Sequence, residues 1–363
     1  MNSIDPFLRA MRQLLLPFSL LYGIGVRVRN HAYDRGWLAS HRFDIPTVCI
    51  GNLSAGGTGK SPLAELLIST LKERYRVAAL SRGYRRRTRG YVLAGEHSTS
   101  LEIGDEPMQL HTKHPDVPVA VGESRSDAFN RLLEDRPGTQ VVVLDDAFQH
   151  RSVSPGLNIL LTEWNKLYTR DSLLPAGNLR DHVSSARRAD ILIVTKCPQS
   201  MTWEEAEAVR MELKPDEGQE LYFSTVVHGD PYHMSTNTGR ELARGTVALL
   251  ITGIANPSPL GSYLRQQLHS LEEMRFRDHH TYRRRDIESI LRRFAALKGN
   301  DRIMLTTEKD AARLRRFESE LKGEPLYVIP MRMEFLFEGA KGFQGRIFNF
   351  IESFEATEGL KGN

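Results

Sequence analysis

Between residues 45 and 195 the chain sets short uninterrupted apolar runs against stretches whose apolar residues recur every three or four positions. The runs are Val48-Cys49-Ile50, Val77–Leu80, Val117–Val121, Val141–Leu144, Ile159–Leu161 and Ile191–Val194. Runs without polar alternation predict parallel strands covered on both faces. After the first run, Leu63, Leu66, Leu67 and Leu71 fall on one face of a helix predicted from Ser61 to about Arg74. Strand, helix and strand make a βαβ unit, and its repetition predicts a doubly wound, mostly parallel α/β domain.

The second half repeats the pattern. Val247–Ile251, Ile303–Thr306 and Leu326–Ile329 are predicted strands, and Pro257–Leu268 and Asp286–Leu297 predicted helices. The helix from Asp286 carries Ile287, Ile290, Leu291 and Phe294 on one face. A strand-like run from Leu221 ends at Gly229-Asp230-Pro231, which places a boundary near Leu221–His233. The expected division is a segment 1–30, a core domain 31–220 and a smaller α/β lobe 221–363. A cleft between two such lobes is a natural ligand site.

The first segment breaks the pattern. From Gln13 to Val26 no residue is charged, while Arg9 and Arg12 precede the stretch and Arg27 and Arg29 follow it. It is shorter than the roughly 20 apolar residues of a membrane-spanning helix. Pro17, Gly23 and Gly25 interrupt it, and no small-residue cleavage site follows. Two readings stay open: a helix lying in a membrane interface, or one docked on the protein's own core. The net charge of +4 over 363 residues is compatible with an anionic substrate or membrane surface. The two cysteines, Cys49 and Cys197, sit in or beside apolar runs and read as core residues of a reducing compartment.

The chemistry begins where the first strand meets its helix. Ser54-Ala-Gly56-Gly57-Thr58-Gly59-Lys60-Ser61 is a P-loop pattern whose first glycine is a serine. Backbone N–H groups of such a loop cradle phosphates, Lys60 would reach the β- and γ-phosphates, and Ser61 would hold magnesium. Val141–Leu144 runs into Asp145-Asp146, placed as the carboxylate that gives magnesium its second protein contact. Gln149 and His150 lie just beyond, beside the same expected cleft. Gly104-Asp105-Glu106-Pro107 reads as an acidic turn or as a proton acceptor for an attacking alcohol. Asp278-His279-His280 reads as a polar loop or as a base with its orienting partner, since no third ligand stands at zinc spacing. Arg82, Arg85, Arg86, Arg87 and Arg89 read as a solvated face or as a holder of substrate phosphates, and no recognised nucleic-acid module accompanies them. Position 198 is proline where a guanine-reading loop needs aspartate, so adenine is favoured. At this level a kinase on a soluble small molecule and a nucleotide-switch GTPase or metallochaperone are the alternatives.

In order along the chain these motifs resemble the tetraacyldisaccharide 4'-kinase family. The resemblance rests on Val48–Leu53 leading into Gly56–Pro62, Leu80-Ser81-Arg82-Gly83-Tyr84, Gly104–Pro107 and Leu144–His150. It continues through Leu174–Asp181, Thr252–Pro257, Asp278–His280 and Thr307–Ala311. Asp181 stands where the family pattern has glutamate, and the family shares the missing first glycine. The resemblance implies a P-loop kinase core and a smaller lobe joined by two hinge strands, expected at Leu221–His228 and Leu326–Met333. It implies ATP and Mg2+, an acylated disaccharide 1-phosphate as acceptor, and the cytoplasmic face of the bacterial inner membrane as a peripheral location. No nucleic acid and no obligatory protein partner are expected. Asp105 would take the hydroxyl proton, assisted by His279 rather than His280. Lys60 would act on the phosphates, and Asp145, Asp146 and Gln149 would serve magnesium and phosphates. A substrate that cannot leave the bilayer favours the interfacial reading of the N-terminal helix.

Overall fold

A computed structural model describes residues 12–359. Arg9 and the rest of residues 1–11, part of the expected N-terminal segment, lie outside the described residues. The first helix, α1, is Leu16–Asp34. The core lobe is a nine-stranded sheet in the order β14-β8-β7-β6-β1-β5-β2-β4-β3, with β3 (Val92–Leu93) and β4 (Val119–Val121) at one edge and β8 (Glu220–His228) and β14 (Met331–Phe335) at the other. Its central members are β1 (Thr47–Asn52), β2 (Val77–Ser81), β5 (Val141–Asp145), β6 (Leu157–Glu163) and β7 (Ile191–Thr195), all parallel to their neighbours. β1, β2, β5 and β7 are buried at every position, as their unbroken apolar runs require. The sequence connection passes from β5 to β6 across β1, so the switch point of the sheet lies at the end of β1. Ligands of doubly wound sheets bind there, beyond the carboxyl ends of the strands.

Helix α2 (Lys60–Leu71) follows β1 and packs Leu63, Leu67, Ile68 and Leu71 under Val48, Ile50 and Val143. Gly51 leaves β1 no freedom for a side chain, because a Cβ there would sit 2.3 Å from that of Phe148. The short helix α3 is Ser100–Ile103, and α4 (Asp105–Lys113) opens on the acidic loop. The second lobe is a five-stranded sheet in the order β11-β10-β12-β13-β9, parallel except at β9 (Tyr232–His233). Its parallel strands are β10 (Val247–Thr252), β11 (Ser270–Arg275), β12 (Arg302–Thr307) and β13 (Leu326–Ile329). After β12 comes a helix, Glu308–Leu314, that reaches across to the core lobe.

The chain departs from the expected division in two places. The expected second hinge strand, Leu326–Met333, is broken by Pro330, which cannot donate to a ladder. Leu326–Ile329 belongs to the second sheet, and the hinge pairs β8 (Glu220–His228) with β14 (Met331–Phe335), antiparallel. The C-terminal helix Gly339–Gly359 is not part of the second lobe. Its Phe343, Ile347 and Ile351 are buried in the core-lobe cluster with Val48, Ile50 and Leu63. The chain therefore enters and leaves the second lobe through one two-stranded ribbon.

α1 docks through a narrow strip of Ser19, Gly23 and Val26. Ser19 Oγ donates to the Leu173 carbonyl at 2.9 Å, Tyr22 Oη to that of Arg180 at 2.9 Å, and Asn30 to Asp181 at 2.8 Å. Phe18, Leu20, Leu21, Ile24 and Val28 stay exposed. No described helix is long and apolar enough to cross a membrane.

The lobes also meet in a buried charge cluster. Lys113 pairs with Glu65 of α2 at 2.5 Å and with Glu308 of the second lobe. Burial, and then the charge of Glu308, push the Glu65 carboxyl up to about 7. A carboxyl raised on folding lends stability at acid pH that is lost as pH rises through that value. Lys113→Met is expected to cost about 3–5 kcal/mol at pH 8, by leaving two buried carboxylates without their cation. The loss should be smaller at pH 5.5, as read from urea unfolding midpoints.

Candidate active site

The turn between β1 and α2 takes its shape from glycine. Gly56 and Gly59 lie at φ 122° and 90°, in the left-handed half that β-carbon residues avoid. Gly59 is the residue before α2, so the free N–H groups of the first turn open onto the loop. Thr58 is tied to the neighbouring strand, its carbonyl accepting from Thr195 Oγ at 2.8 Å. Loop and helix N-terminus together form an anion cradle at the switch point.

Lys60 Nζ lies 3.2 Å from Asn52 Oδ1 and 3.6 Å from Asp146 Oδ1. Asp146 is held in the left-handed region at φ 50° and receives both terminal nitrogens of Arg180, at 2.8 and 3.2 Å. Although burial pushes its carboxyl up, Lys60 and Arg180 hold it well below the usual carboxylate range. Its neighbour behaves oppositely. Asp145 is buried at the end of β5, and its Oδ1 has no hydrogen-bond partner. Burial, and then the charges of Glu106 and Asp146, push its carboxyl up to about 7. Gln149 donates to the Asn52 carbonyl at 2.6 Å, so it braces the end of β1. Burial, followed by Arg125 and Arg82, lowers His150 to about 4.

The acidic loop stands on the same edge. Glu106 pairs with Lys309 of the second lobe at 2.5 Å. Glu106 and Lys309 are also close enough to Asp145 to shift it, so the loop adjoins the phosphate cradle. Asp105, the first residue of α4, meets His279 Nδ1 and Arg313 Nη2 across the lobes, each 2.8 Å from its Oδ2. Burial raises the Asp105 carboxyl, but His279 and Arg313 outweigh burial and hold it below its ordinary value. His279 adopts φ 56°, an unusual backbone for its type that turns the ring toward the core lobe. His280 turns away: its Nε2 lies 2.9 Å from Asp286, at the start of the following helix. Of the two histidines, His279 is the one that meets Asp105. Asp105, His279 and Arg313 line a cavity of about 310 Å³ with Arg85, Tyr282 and Arg316.

The family model for tetraacyldisaccharide-1-P 4'-kinase matches residues 11–351. The chain belongs to the tetraacyldisaccharide 4'-kinase family. A tetraacyldisaccharide 4'-kinase of Parabacteroides distasonis is 44% identical over 94% of this chain and 95% of its own length. One of Bacteroides thetaiotaomicron is 44% identical over 96% and 95% respectively. The fold matches that of the family member from Aquifex aeolicus crystallised with ATP, at a TM-score of 0.73 and 28% identity over 94% of this chain and 99% of that one.

Lys60, Asp145, Asp146 and Gln149 stand at the carboxyl edge of the core sheet beside the loop, Asp105 opens α4 next to them, and His279 meets it from the second lobe, whereas His280 is bound to Asp286. Sequence reasoning missed Asn52, Arg180, Lys309 and Arg313 as partners of that site. Asn52 is fully buried, and its Oδ1 accepts from Lys60 and from Arg180 at 2.5 Å. Its one signal was a polar residue closing an apolar strand immediately before the loop. Asn52→Ala is expected to weaken ATP binding about tenfold, by leaving two cations short of an acceptor. Titration with nucleotide at constant ionic strength checks this, and affinity equal to that of the parent protein would exclude the role.

Proposed function

We propose that this kinase transfers the γ-phosphate of ATP to the 4'-hydroxyl of a tetraacylated glucosamine disaccharide 1-phosphate, with Asp105 as the proton acceptor. The observation that carries the residue assignment is the cross-lobe contact of Asp105 with His279, beside the phosphate cradle. Oδ2 of Asp105 accepts from both His279 and Arg313, which leaves Oδ1 to receive the acceptor's proton. The carboxyl is held ionised, as a base must be before it takes a proton. His279 orients this base. Backbone N–H groups of Gly56–Lys60 and the Lys60 ammonium would bind the phosphates and offset the charge that spreads over the transferring group.

Magnesium fits the donors on this edge. Asp145 brings a buried oxygen without a partner, and Ser61 a buried hydroxyl in the first turn of α2. Among the described residues no three His, Cys, Asp or Glu side chains form a cage. Magnesium at a phosphate site does not need one, because phosphate oxygens and water complete its shell. Bound there it would neutralise phosphate charge, with Ser61 and Asp145 as its protein contacts. Asp146, already paired with Lys60 and Arg180, would hold those cations in place.

The acceptor's acyl chains call for an enzyme at the bilayer surface, since each exposed CH₂ costs about 0.8 kcal/mol. The exposed apolar face of α1 supports a peripheral location, and the reducing, ATP-containing side of the inner membrane is the cytoplasmic one. Leu20→Ser, Leu21→Ser and Ile24→Ser combined are expected to release the protein from anionic vesicles while its thermal midpoint holds. Unchanged co-sedimentation would remove the helix from this role.

The reaction itself is tested by phosphate transfer from labelled ATP to the acylated disaccharide 1-phosphate. Asp105→Ala and His279→Ala are expected to lower kcat about 10²–10⁴-fold, and Lys60→Ala by at least as much. Full transfer by the Asp105 variant would refute its role as base. A parent enzyme unable to use the lipid would overturn the acceptor.

A further inference from the structure

We infer that Arg313 is a positioning residue for this transfer: it joins His279 on Oδ2 of Asp105 and so fixes Oδ1 as the oxygen that takes the acceptor's proton. The inference rests on the reading of Asp105 as base. Arg313 Nη2 and His279 Nδ1 each lie 2.8 Å from Oδ2, and 3.3 Å from one another. A guanidinium nitrogen donates and does not accept. With Nδ1 of His279 protonated, both groups present N–H to Oδ2, and the 3.3 Å approach is that of two donors beside one oxygen. In that tautomer Nε2 lies 3.9 Å from Asp278 Oδ2. No hydrogen bond reaches Oδ1 of Asp105 from the described residues.

The fork is held from behind. Arg313 Nη1 donates to the Gly253 carbonyl at 2.8 Å and to Asp310 Oδ1 at 3.0 Å. Asp310 is fully buried and accepts in turn from Tyr282 Oη at 3.0 Å, Thr307 Oγ at 2.8 Å and the Gly253 N–H at 2.9 Å. The His279 N–H donates to the same Gly253 carbonyl, at 3.0 Å. Gly253 and Asp310 thus anchor both donors, and the second lobe carries His279 and Arg313 as one piece. A Cβ at residue 253 would lie 3.0 Å from Asp310 Oδ1, so the anchor has no spare room. The unit meets its carboxylate only when the lobes are apposed, since Asp105 belongs to the core lobe. That makes the aim of the base a property of lobe closure.

The guanidinium also sets the charge of the base. Lining the cavity beside the Asp105 carboxyl are His279, Arg313, His280, Tyr282 and Arg316 from the second lobe and Arg85 from the core lobe. Asp278 lies beside His279, Tyr84 packs edge-on against it, and the Glu106–Lys309 pair follows in sequence and space. Of these, His279 and Arg313 touch the carboxylate directly. Removing the Arg313 charge raises the affinity of Asp105 for its proton, so the acid limb of the pH profile moves to higher pH.

The test is the pH dependence of transfer to the lipid acceptor by the intact enzyme. Arg313→Gln is expected to lower kcat at pH 7 about 10- to 100-fold, with KM for ATP within about twofold. Its acid limb should rise by about one pH unit, so that the loss relative to the parent is larger at acid pH than at pH 8. Arg313→Lys keeps a cation but loses the fork, and should lower kcat with the acid limb unmoved. A profile for Arg313→Gln that superimposes on the parent's after scaling would overturn the inference, because a purely structural loss scales every pH alike. If Arg313→Gln does not fold, a parental kcat for Arg313→Lys overturns it equally. Asp105→Asn separates the two readings. Retained transfer refutes Asp105 as base, whereas an inactive Asp105→Asn beside an unshifted Arg313→Gln refutes the positioning role alone.

Discussion

Asp105, Glu106, Asp145 and Asp146 gather at one edge of the core sheet, and the cost of burying them organises the rest. An ionised carboxylate out of water costs several kcal/mol unless a cation and hydrogen bonds replace the lost solvent. Three of them have such partners: Arg313 and His279 for Asp105, Lys309 for Glu106, and Lys60 with Arg180 for Asp146. Among the described residues Asp145 has no ion pair, and burial, with the charges of Glu106 and Asp146, pushes its carboxyl up. The arrangement sorts the acids by task. A carboxylate held ionised and aimed by donors suits a proton acceptor. One left with an unsatisfied oxygen among other acids suits a divalent cation. Lys60 and Arg180 around Asp146 preset the positive charge that phosphate oxygens need.

Two of those partners, Lys309 and Arg313, come from the second lobe and lie on one short helix after β12. The same helix begins with Glu308, which Lys113 of α4 holds. Three ion pairs, from Glu308, Lys309 and Arg313, therefore tie this helix to α4, whose first residue is Asp105. The ribbon of β8 and β14 carries the chain between the lobes, while the charges fix where they meet. Because interactions across the junction are ionic, the closed arrangement is sensitive to charge in the cleft, and a polyanionic nucleotide is such a charge.

The parallel core was legible in the sequence because buried parallel strands need unbroken apolar runs, as β1, β2, β5 and β7 show. The phosphate cradle was legible because its geometry demands glycine at Gly56 and Gly59 and a lysine at the helix start. Arg313 and Lys309 were not, since their partners lie about 200 residues away and nothing local distinguishes them from other helix cations. His279 and His280 differed in the sequence only by their distance from Asp278, and left-handed backbone at His279 is what separates their directions. The hinge was displaced because Tyr327 and Val328 have the composition of a ribbon strand. Pro330 is the residue that ends one sheet and starts the other. The C-terminal helix escaped assignment for a similar reason: Phe343, Ile347 and Ile351 specify an apolar face but not which lobe it covers.

The position of α1 bears on how one site serves substrates from two phases. Its docking strip rests on the segment from Leu173 to His182, through Ser19, Gly23, Tyr22 and Asn30. The far side of that segment reaches the cradle: Asn178 accepts from Ala55 at 2.7 Å, and Arg180 clamps Asp146 and Asn52. One stretch of chain is thus bonded to the apolar helix on one side and to the phosphate loop on the other. In the proposed reaction the acceptor hydroxyl is tethered to acyl chains in the bilayer, so the enzyme cannot search for it in solution. A loop that fixes the distance from the membrane-facing helix to the cradle replaces that search with geometry. The core lobe then joins helix and cradle in one unit, and the second lobe supplies His279 and Arg313 to Asp105 from the other side of the cleft.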